Sequence, residues 1–373
     1  MSEIQPIRVS QIMGRMAVGG VEATIMNHYR FIDHNRVNFD FIVDEDSPQV
    51  PDEEIRSLGG RVFRIPKIKH IHRYDKALYE VLTKTKPNIV HSNVNALSVF
   101  PLRIAKKAGI PIRIAHNHSM SDKKEFTRNT IKNMLRPLSR IYPTDLAACT
   151  AMAGEWLFGT DAVKRHDVHI IKNAIDVNRF TFSVNSRESL RSQYGLGGKF
   201  IIGQVGRLVP QKNYMFSMEV FAEVLKIEPN AAFVGLGEGR QRTEIERRAE
   251  ELGIADSVYL LGNQSNVNEW NSAFDVLLFP SLYEGAGMTA TEAQASLLPI
   301  VGSNNVPAET FIERDLITVL SLTESAAVWA NRILEVGRQQ VNRMEKRTEL
   351  ASHGYDIRES AQALQTWYES LVN

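Results

Sequence analysis

The chain has 373 residues, too many for one ordinary hydrophobic core, so two domains are the first expectation. With 43% hydrophobic and 23% charged residues it has a globular balance, and it holds no uninterrupted apolar run long enough to cross a bilayer. A net charge of +1 hides an asymmetry: residues 1–180 carry 27 Lys and Arg against 19 Asp and Glu (+8), and the remainder carries 17 against 24 (−7), so the first half suits an anionic partner.

Residues 7–13 predict a first strand, followed by Gly14-Arg15-Met16-Ala17-Val18-Gly19-Gly20 and a helical pattern over 21–31. Strands follow at 39–43, 61–65 and 89–91. A helix is expected over 96–107, and further strands over 110–115, 146–149 and 168–171. Strands alternating with helix-length segments predict a parallel sheet covered on both faces. The pattern then restarts. Residues 200–205 form a continuous apolar strand, with a helix over 215–226, a strand at 231–234, and a charged helix ending at Leu252. Strands at 258–261, 276–279 and 299–301 follow, and 357–372 has Ala361, Leu364, Trp367 and Leu371 at helical spacing. The expected fold is α/β with two doubly wound Rossmann-like domains joined near 173–192. A ligand is expected in the cleft they face, near the carboxyl ends of the strands.

The first six residues, Met1 to Pro6, lack the basic-then-apolar pattern of a signal peptide. The single cysteine, Cys149, cannot make an internal disulfide or a cysteine-based metal site. Both features point to a cytoplasmic setting.

Three segments carry chemistry. In the first, the strand 276–279 runs into Pro280-Ser281-Leu282-Tyr283-Glu284-Gly285-Ala286-Gly287-Met288-Thr289 and then a helix containing Glu292. Glycines there permit close backbone approach, and a helix N-terminus presents N–H groups to a phosphate. Glu284 and Glu292 lie eight residues apart, so one carboxylate can reach sugar hydroxyls and the other a ribose diol. A solvated Glu at a strand end and an ordinary helix Glu are the plain alternative. In the second, Gly206-Arg207-Leu208-Val209-Pro210-Gln211-Lys212-Asn213 follows the strand 200–205, where Arg207 and Lys212 can neutralise a diphosphate as it leaves. A basic surface loop is the alternative. In the third, Gly19-Gly20-Val21-Glu22 opens the first helix, at a spacing that does not fit the dinucleotide fingerprint. Gly235-Leu236-Gly237-Glu238-Gly239 is a partial glycine pattern, and either loop is equally readable as a tight turn.

Together with Asn173-Ala174-Ile175-Asp176 and Phe180, these segments resemble the family 4 retaining glycosyltransferases of GT-B architecture, over nearly the whole chain. Arg113-Ile114-Ala115-His116-Asn117-His118 and Glu292-Ala293-Gln294-Ala295-Ser296 resemble the capsule and exopolysaccharide subgroup. The resemblance implies domains at 1–180 (acceptor side) and 181–355 (nucleotide-sugar side), with 356–373 crossing back to the first. It implies that Arg207 and Lys212 bind the donor diphosphate and that Glu292 binds the ribose. Glu284 and the backbone of Gly285, Ala286, Gly287, Met288 and Thr289 would hold the transferred sugar and the distal phosphate. Gly19 and Gly20 would approach phosphate, and either His116 or His118 would lie near the anomeric carbon. The implied catalytic set is Arg207, Lys212, His116 and Glu284. No cofactor, metal or nucleic-acid partner is implied. The substrates would be a nucleotide-diphosphate sugar, with UDP favoured, and a saccharide or lipid-linked saccharide acceptor. The chain departs from the family at Ala286, where Gly is frequent, and at Leu297 or Leu298, one of which is frequently Gly. A sugar-nucleotide epimerase of the same architecture, or a non-catalytic sugar-nucleotide-binding partner, is the alternative.

Asp44-Glu45-Asp46 follows a strand and could be read as an acidic metal motif, but the doubly wound pattern argues for a solvated loop. His70-Ile71-His72 lacks metal-ligand spacing. Finally, residues 123–140 are basic. Arg128, Lys132, Arg136 and Arg140 recur every four residues, with Phe126, Ile131, Met134, Leu135 and Leu138 as apolar positions, which predicts a helix on an anionic membrane surface broken or kinked at Pro137. Peripheral association with the inner face of the plasma membrane follows from that expectation. Apolar residues facing the domain core beneath solvated cations are the alternative.

Overall fold

The computed structural model describes residues 5–17, 19–118, 134–339, 341–345 and 348–373. The chain divides into two units, Met1–Ile175 with Asp356–Asn373, and Asp176–Tyr355.

The first unit holds a seven-stranded parallel sheet. Its strands are β1 (Ile7–Gly14), β2 (Val37–Asp44), β3 (Arg61–Ile65), β4 (Ile89–Ser92), β5 (Ile112–Asn117), β6 (Asp145–Ala148) and β7 (Val168–Ile170). They lie in the order β3-β2-β1-β4-β5-β6-β7. Central strands buried on both faces need apolar residues at nearly every position, and β2 is buried along all but its last residue. Of its two carboxylates, Asp44 ends the strand, and Asp40 inside it is wholly buried and takes two hydrogen bonds from Arg61 at 2.7 and 2.6 Å and a third from Arg8 at 3.3 Å. A buried carboxylate without those guanidinium partners would be prohibitive. The core around Val9, Tyr29, Phe39, Phe41 and Ile114 is completed by Leu364 and Tyr368 of the helix Ile357–Val372. Asp356 caps that helix by accepting from the Arg358 N–H at 2.8 Å. Trp367 stacks on His169, ring centroids 4.1 Å apart.

The second unit holds a six-stranded parallel sheet of β8 (Phe200–Val205), β9 (Ala231–Leu236), β10 (Val258–Leu260), β11 (Val276–Phe279), β12 (Ile300–Ser303) and β13 (Ile317–Leu320). Its order is β10-β9-β8-β11-β12-β13. In each sheet the strand order reverses once, between β1 and β4 and between β8 and β11. Crevices that bind ligands in doubly wound sheets open at such points.

Several expectations change in detail. The strand expected at 110–115 runs from Ile112 to Asn117, so His116 lies inside it and His118 directly after it. Pro111 has no N–H for the ladder, which delays the start. The helix expected from 96 begins as a 3-10 turn, Asn95–Ser98, and becomes α-helical at Val99–Lys107. The helix Ile71–Thr85 buries Tyr74, Leu78 and Leu82, and the helix Ala326–Gly337 is capped by Ser325. Neither was expected, although both carry readable spacing.

Residues 123–133 of the expected membrane helix lie outside the described residues. The described remainder is corrected: Arg136–Leu138 is a 3-10 turn opened by Pro137, so Arg136 and Arg140 do not continue one α-helical face. Arg136 lies over the Trp156 ring at 5.5 Å. Asp46 of the acidic triplet pairs with Lys67 at 2.5 Å, which is the solvated-loop outcome. Among the described residues no group of His, Cys, Asp and Glu is placed to hold a metal, and no helix is long and apolar enough to cross a membrane.

Candidate active site

In the second unit, the loops after β8 and β11 meet because those strands are neighbours, with Leu277 in register with Gly203. The Leu282 N–H donates to the Gln211 carbonyl at 2.9 Å, Gln211 Nε2 donates to the Tyr283 carbonyl at 3.0 Å, and Asn213 Nδ2 to the Pro280 carbonyl at 3.2 Å. This clasp brings Lys212 Nζ to 2.6 Å from Glu284 Oε1. Both side chains are mostly buried, 14% and 8% exposed. The ammonium also lies 5.2 Å from the Phe279 ring centroid. Gly206 makes the approach possible: at φ +149° it bears no side chain, and a Cβ there would lie 2.9 Å from Lys212 Cε.

Arg207 sits on the same loop and is exposed, with no side-chain hydrogen bond or ion pair among the described residues. Glu292 is partly buried one helical stretch beyond Glu284. Burial pushes its carboxyl up to about 7, against the pull of the Arg179 and Lys212 charges. Arg179, whose charge acts on Glu292, is a neighbour that sequence reasoning missed, although it adjoins Phe180 in the quoted join. The structure thus brings Lys212 and Glu284 into contact, places Glu292 within the field of Lys212, and leaves Arg207 open.

Gly287, at φ +63°, begins the helix Met288–Ala295 after the turn through Gly285 and Ala286. Thr310 Oγ1 pins that turn by donating to the Ala286 carbonyl at 3.1 Å. Gln294 holds the same support, donating to the Thr310 carbonyl at 2.8 Å and accepting from the Ile312 and Glu313 N–H groups at 2.7 and 3.0 Å. At the end of the helix, Leu297 has φ +50°. The Leu298 N–H returns to the Ala293 carbonyl and the Leu297 N–H to the Gln294 carbonyl, both at 3.0 Å, a Schellman closure. The family's frequent glycine therefore belongs at 297, the position whose backbone is left-handed.

The glycines at 237 and 239 let two loops pack backbone to backbone. A Cβ on Gly237 would lie 2.2 Å from the Gly206 carbonyl oxygen, and one on Gly239 would lie 2.3 Å from that of Leu208. The Leu208 N–H donates to the Glu238 carbonyl at 3.0 Å. This loop is the backbone support on which the Arg207 and Lys212 loop rests.

In the first unit, Gly19 is extended and Gly20 is the first residue of the helix Gly20–Phe31. A Cβ on Gly19 would lie 2.6 Å from Glu22 Oε2. His116 and His118 are both buried, and their rings lie 3.8 Å apart. Burial holds His116 well below the usual histidine range and pushes His118 down to about 3, so both are neutral near pH 7. Their partners were not foreseen. His91 of β4 lies 3.0 Å from His116, and Asn93 lies 3.0 Å from His118.

Residues 18–179 match the profile "Glycosyltransferase Family 4", and residues 186–356 match "Glycosyl transferases group 1". EpsF of Bacillus subtilis (strain 168), a glycosyltransferase by its assigned name, is 32% identical over 369 residues, covering 97% of this chain and 96% of EpsF. The UDP-Gal:alpha-D-GlcNAc-diphosphoundecaprenol alpha-1,3-galactosyltransferase of Escherichia coli is 22% identical, covering 80% of this chain and 79% of its own. Among solved structures, HepE of Anabaena in complex with UDP-glucose is similar with a TM-score of 0.76 at 16% identity, over 97% of this chain and 95% of that one. The chain belongs to the family 4 glycosyltransferases of GT-B type, with two Rossmann-like units.

Proposed function

We propose that this glycosyltransferase moves a sugar from a UDP-sugar to a saccharide or lipid-linked saccharide, with retention and without a metal, in the building of a cell-surface polysaccharide. The observation that carries this reading is the Lys212–Glu284 pair, 2.6 Å apart at the β8/β11 reversal, with Arg207 on the same loop and Glu292 in the helix beyond. Breaking the bond from the anomeric carbon to the phosphate builds negative charge on the diphosphate. Lys212, Arg207 and the N-terminus of the helix Met288–Ala295 offer positive charge to meet it. The acceptor oxygen bonds to the anomeric carbon on the face the phosphate leaves, and the acceptor proton passes to a departing phosphate oxygen. Glu284 is engaged by Lys212, which supports a role in holding the sugar and not in attacking it. Glu292, as a carboxylate, would accept from the ribose hydroxyls. No cofactor beyond the donor substrate is needed.

The donor and acceptor classes draw support from the relatives. The E. coli enzyme is named for UDP-Gal and a diphosphoundecaprenol-linked acceptor, and HepE was solved with UDP-glucose. A location on the cytoplasmic membrane surface fits the exposed Met134, Leu138 and Ile141 beside Arg140. Sedimentation with anionic and neutral vesicles tests it, and equal partitioning to both would overturn it.

The decisive experiment incubates the protein with several UDP-sugars and free or lipid-linked saccharides in excess chelator. The anomeric configuration of the product is then read by NMR. A product with the donor's configuration is expected. Inversion, epimerised donor without transfer, or activity only after metal is restored would each overturn the corresponding part.

A further inference from the structure

Six buried polar side chains of the first unit form a directed hydrogen-bond chain across β1, β4, β5 and the last helix. Asn93 Nδ2 donates to Gln11 Oε1 at 2.9 Å, and Gln11 Nε2 donates to the Tyr368 hydroxyl at 3.2 Å. Tyr368 lies 2.7 Å from His91 Nδ1, and His91 Nε2 lies 3.0 Å from His116 Nδ1. On the other branch, His118 Nε2 lies 3.0 Å from Asn93 Oδ1, and the backbone N–H of His118 donates to Asn95 Oδ1 at 2.7 Å. All six are at most 5% exposed.

The direction of every proton follows from one anchor. Asn93 Nδ2 also lies 3.5 Å from the His91 carbonyl oxygen, where a donor is tolerated and an amide oxygen would be repelled. With Asn93 so oriented, Gln11 must present its oxygen to Asn93 and its nitrogen to Tyr368. Tyr368 must then give its proton to His91 Nδ1. A neutral His91 carries its proton on Nε2 and donates it to His116 Nδ1, so a neutral His116 carries its own on Nε2. His118 faces the oxygen of Asn93, so its proton is on Nε2 and its Nδ1 is a bare acceptor. Among the described residues, His116 Nε2 and His118 Nδ1 are the ring nitrogens of this hydrogen-bond network left without a partner. A buried polar atom without a partner calls for an explanation, because leaving it unmet is costly.

We infer that Tyr368, Gln11, His91 and Asn93 are positioning residues that lock His116 as a donor and His118 as an adjacent acceptor, a pair that reads a substrate hydroxyl. A hydroxyl both donates and accepts. A carboxylate only accepts and an ammonium only donates, so the pair selects hydroxylated sugars over uronic or amino sugars at that position. The inference rests on the reading that this end of the sheet meets substrate.

Histidine tautomers in the 15N-labelled full chain test the two levels separately. The resting protein should show His91, His116 and His118 all protonated on Nε2. A proton on Nδ1 of His116 or His118 overturns the inference, whatever the activity. On adding the transferred UDP-sugar, the His116 Nε2 and His118 Nδ1 resonances should shift. If transfer proceeds and neither moves, the pair does not read the substrate and the inference fails, while the proposed transfer stands. Tyr368→Phe removes the proton given to His91. It should lower kcat/KM by about tenfold for the hydroxylated donor and leave a deoxy donor unchanged. An equal fall for both would assign Tyr368 a merely structural role. If Tyr368→Phe does not fold, the tautomers of the unaltered protein still decide.

Discussion

The two sheet reversals share a topology and differ in chemistry. Between β8 and β11 the side chains are charged, and a backbone of closely packed glycines holds Lys212 against Glu284. Between β1 and β4, and on to β5, the groups are neutral and amphoteric, with three histidines, His91, His116 and His118, whose charge burial has suppressed. Parallel sheets bring loops together at their carboxyl ends in both cases, so topology supplies the place and the side chains decide what can be bound there. The charged end suits a diphosphate, which needs cations. The neutral end suits hydroxyls, which need a donor and an acceptor at fixed positions.

The largest effect expected from breaking this contrast is at Lys212. Lys212→Ala removes the buried cation and leaves Glu284 without its partner, so turnover at saturating donor should fall about a hundredfold or more. Arg207→Ala should act in the same direction with less effect on folding, because Arg207 is exposed. Near-normal turnover in both, with a native circular dichroism spectrum, would show that the charged end does not carry the leaving group.

Next is the backbone under that end. Gly237→Ala places a methyl group 2.2 Å from the Gly206 carbonyl at a φ of +138°, and should lower stability by about 1–3 kcal/mol. Gly197→Ala, which meets nothing within 4 Å, is the control. Equal thermal midpoints for the two variants would mean that the supporting loop yields freely.

Glu292 sharpens the comparison through pH. Its carboxyl titrates at about 7 in the folded chain against an ordinary 4.5, so the folded state holds this proton more tightly than the unfolded one. The associated stability therefore falls as pH rises from the ordinary value through about 7. On the proposed role of Glu292, affinity for UDP-glucose runs the other way, because the carboxylate would be the form that accepts the ribose hydroxyls. It should rise by up to about tenfold from pH 6 to pH 8, and the rise should vanish in Glu292→Gln. His118, pushed down to about 3, should contribute nothing over that range. A pH dependence that survives Glu292→Gln would assign it elsewhere.

The smallest expected effect is that of a chelator. Transfer should change less than about twofold in excess EDTA, since the cations at the charged end are side chains. Loss of transfer that magnesium or manganese restores would overturn that account.

Much of the second unit was legible because its signals are local. The strands Phe200–Val205 and Val276–Phe279 are largely apolar, and the segments that follow them carry Arg207 and Lys212, and Glu284 and Glu292, respectively. A residue just beyond a parallel strand reaches the same edge whatever the rest of the chain does. The first unit was legible as a fold but not as a site. Its parallel sheet follows from strands that alternate with helix-length segments, while the strand order came from the structure. Its polar network, however, depends on contacts between residues far apart in sequence: Gln11 with Tyr368, 357 positions later, and His91 with His116, 25 positions later.

The sequence by itself therefore determined the two parallel α/β units, without the edge strand β13 or the strand order, and named the loop residues at the charged end, because periodicity and strand-end position act over a few residues. Only the tertiary structure decided that Gly237 and Gly239 support a loop, and that Leu297 sits in the left-handed region. It alone paired Lys212 with Glu284, and set burial as the cause that raises the Glu292 carboxyl and keeps His116 and His118 uncharged. The reason is physical: proton affinity and close approach are set by what surrounds a group in space, and those neighbours come from strands and helices that folding alone brings together.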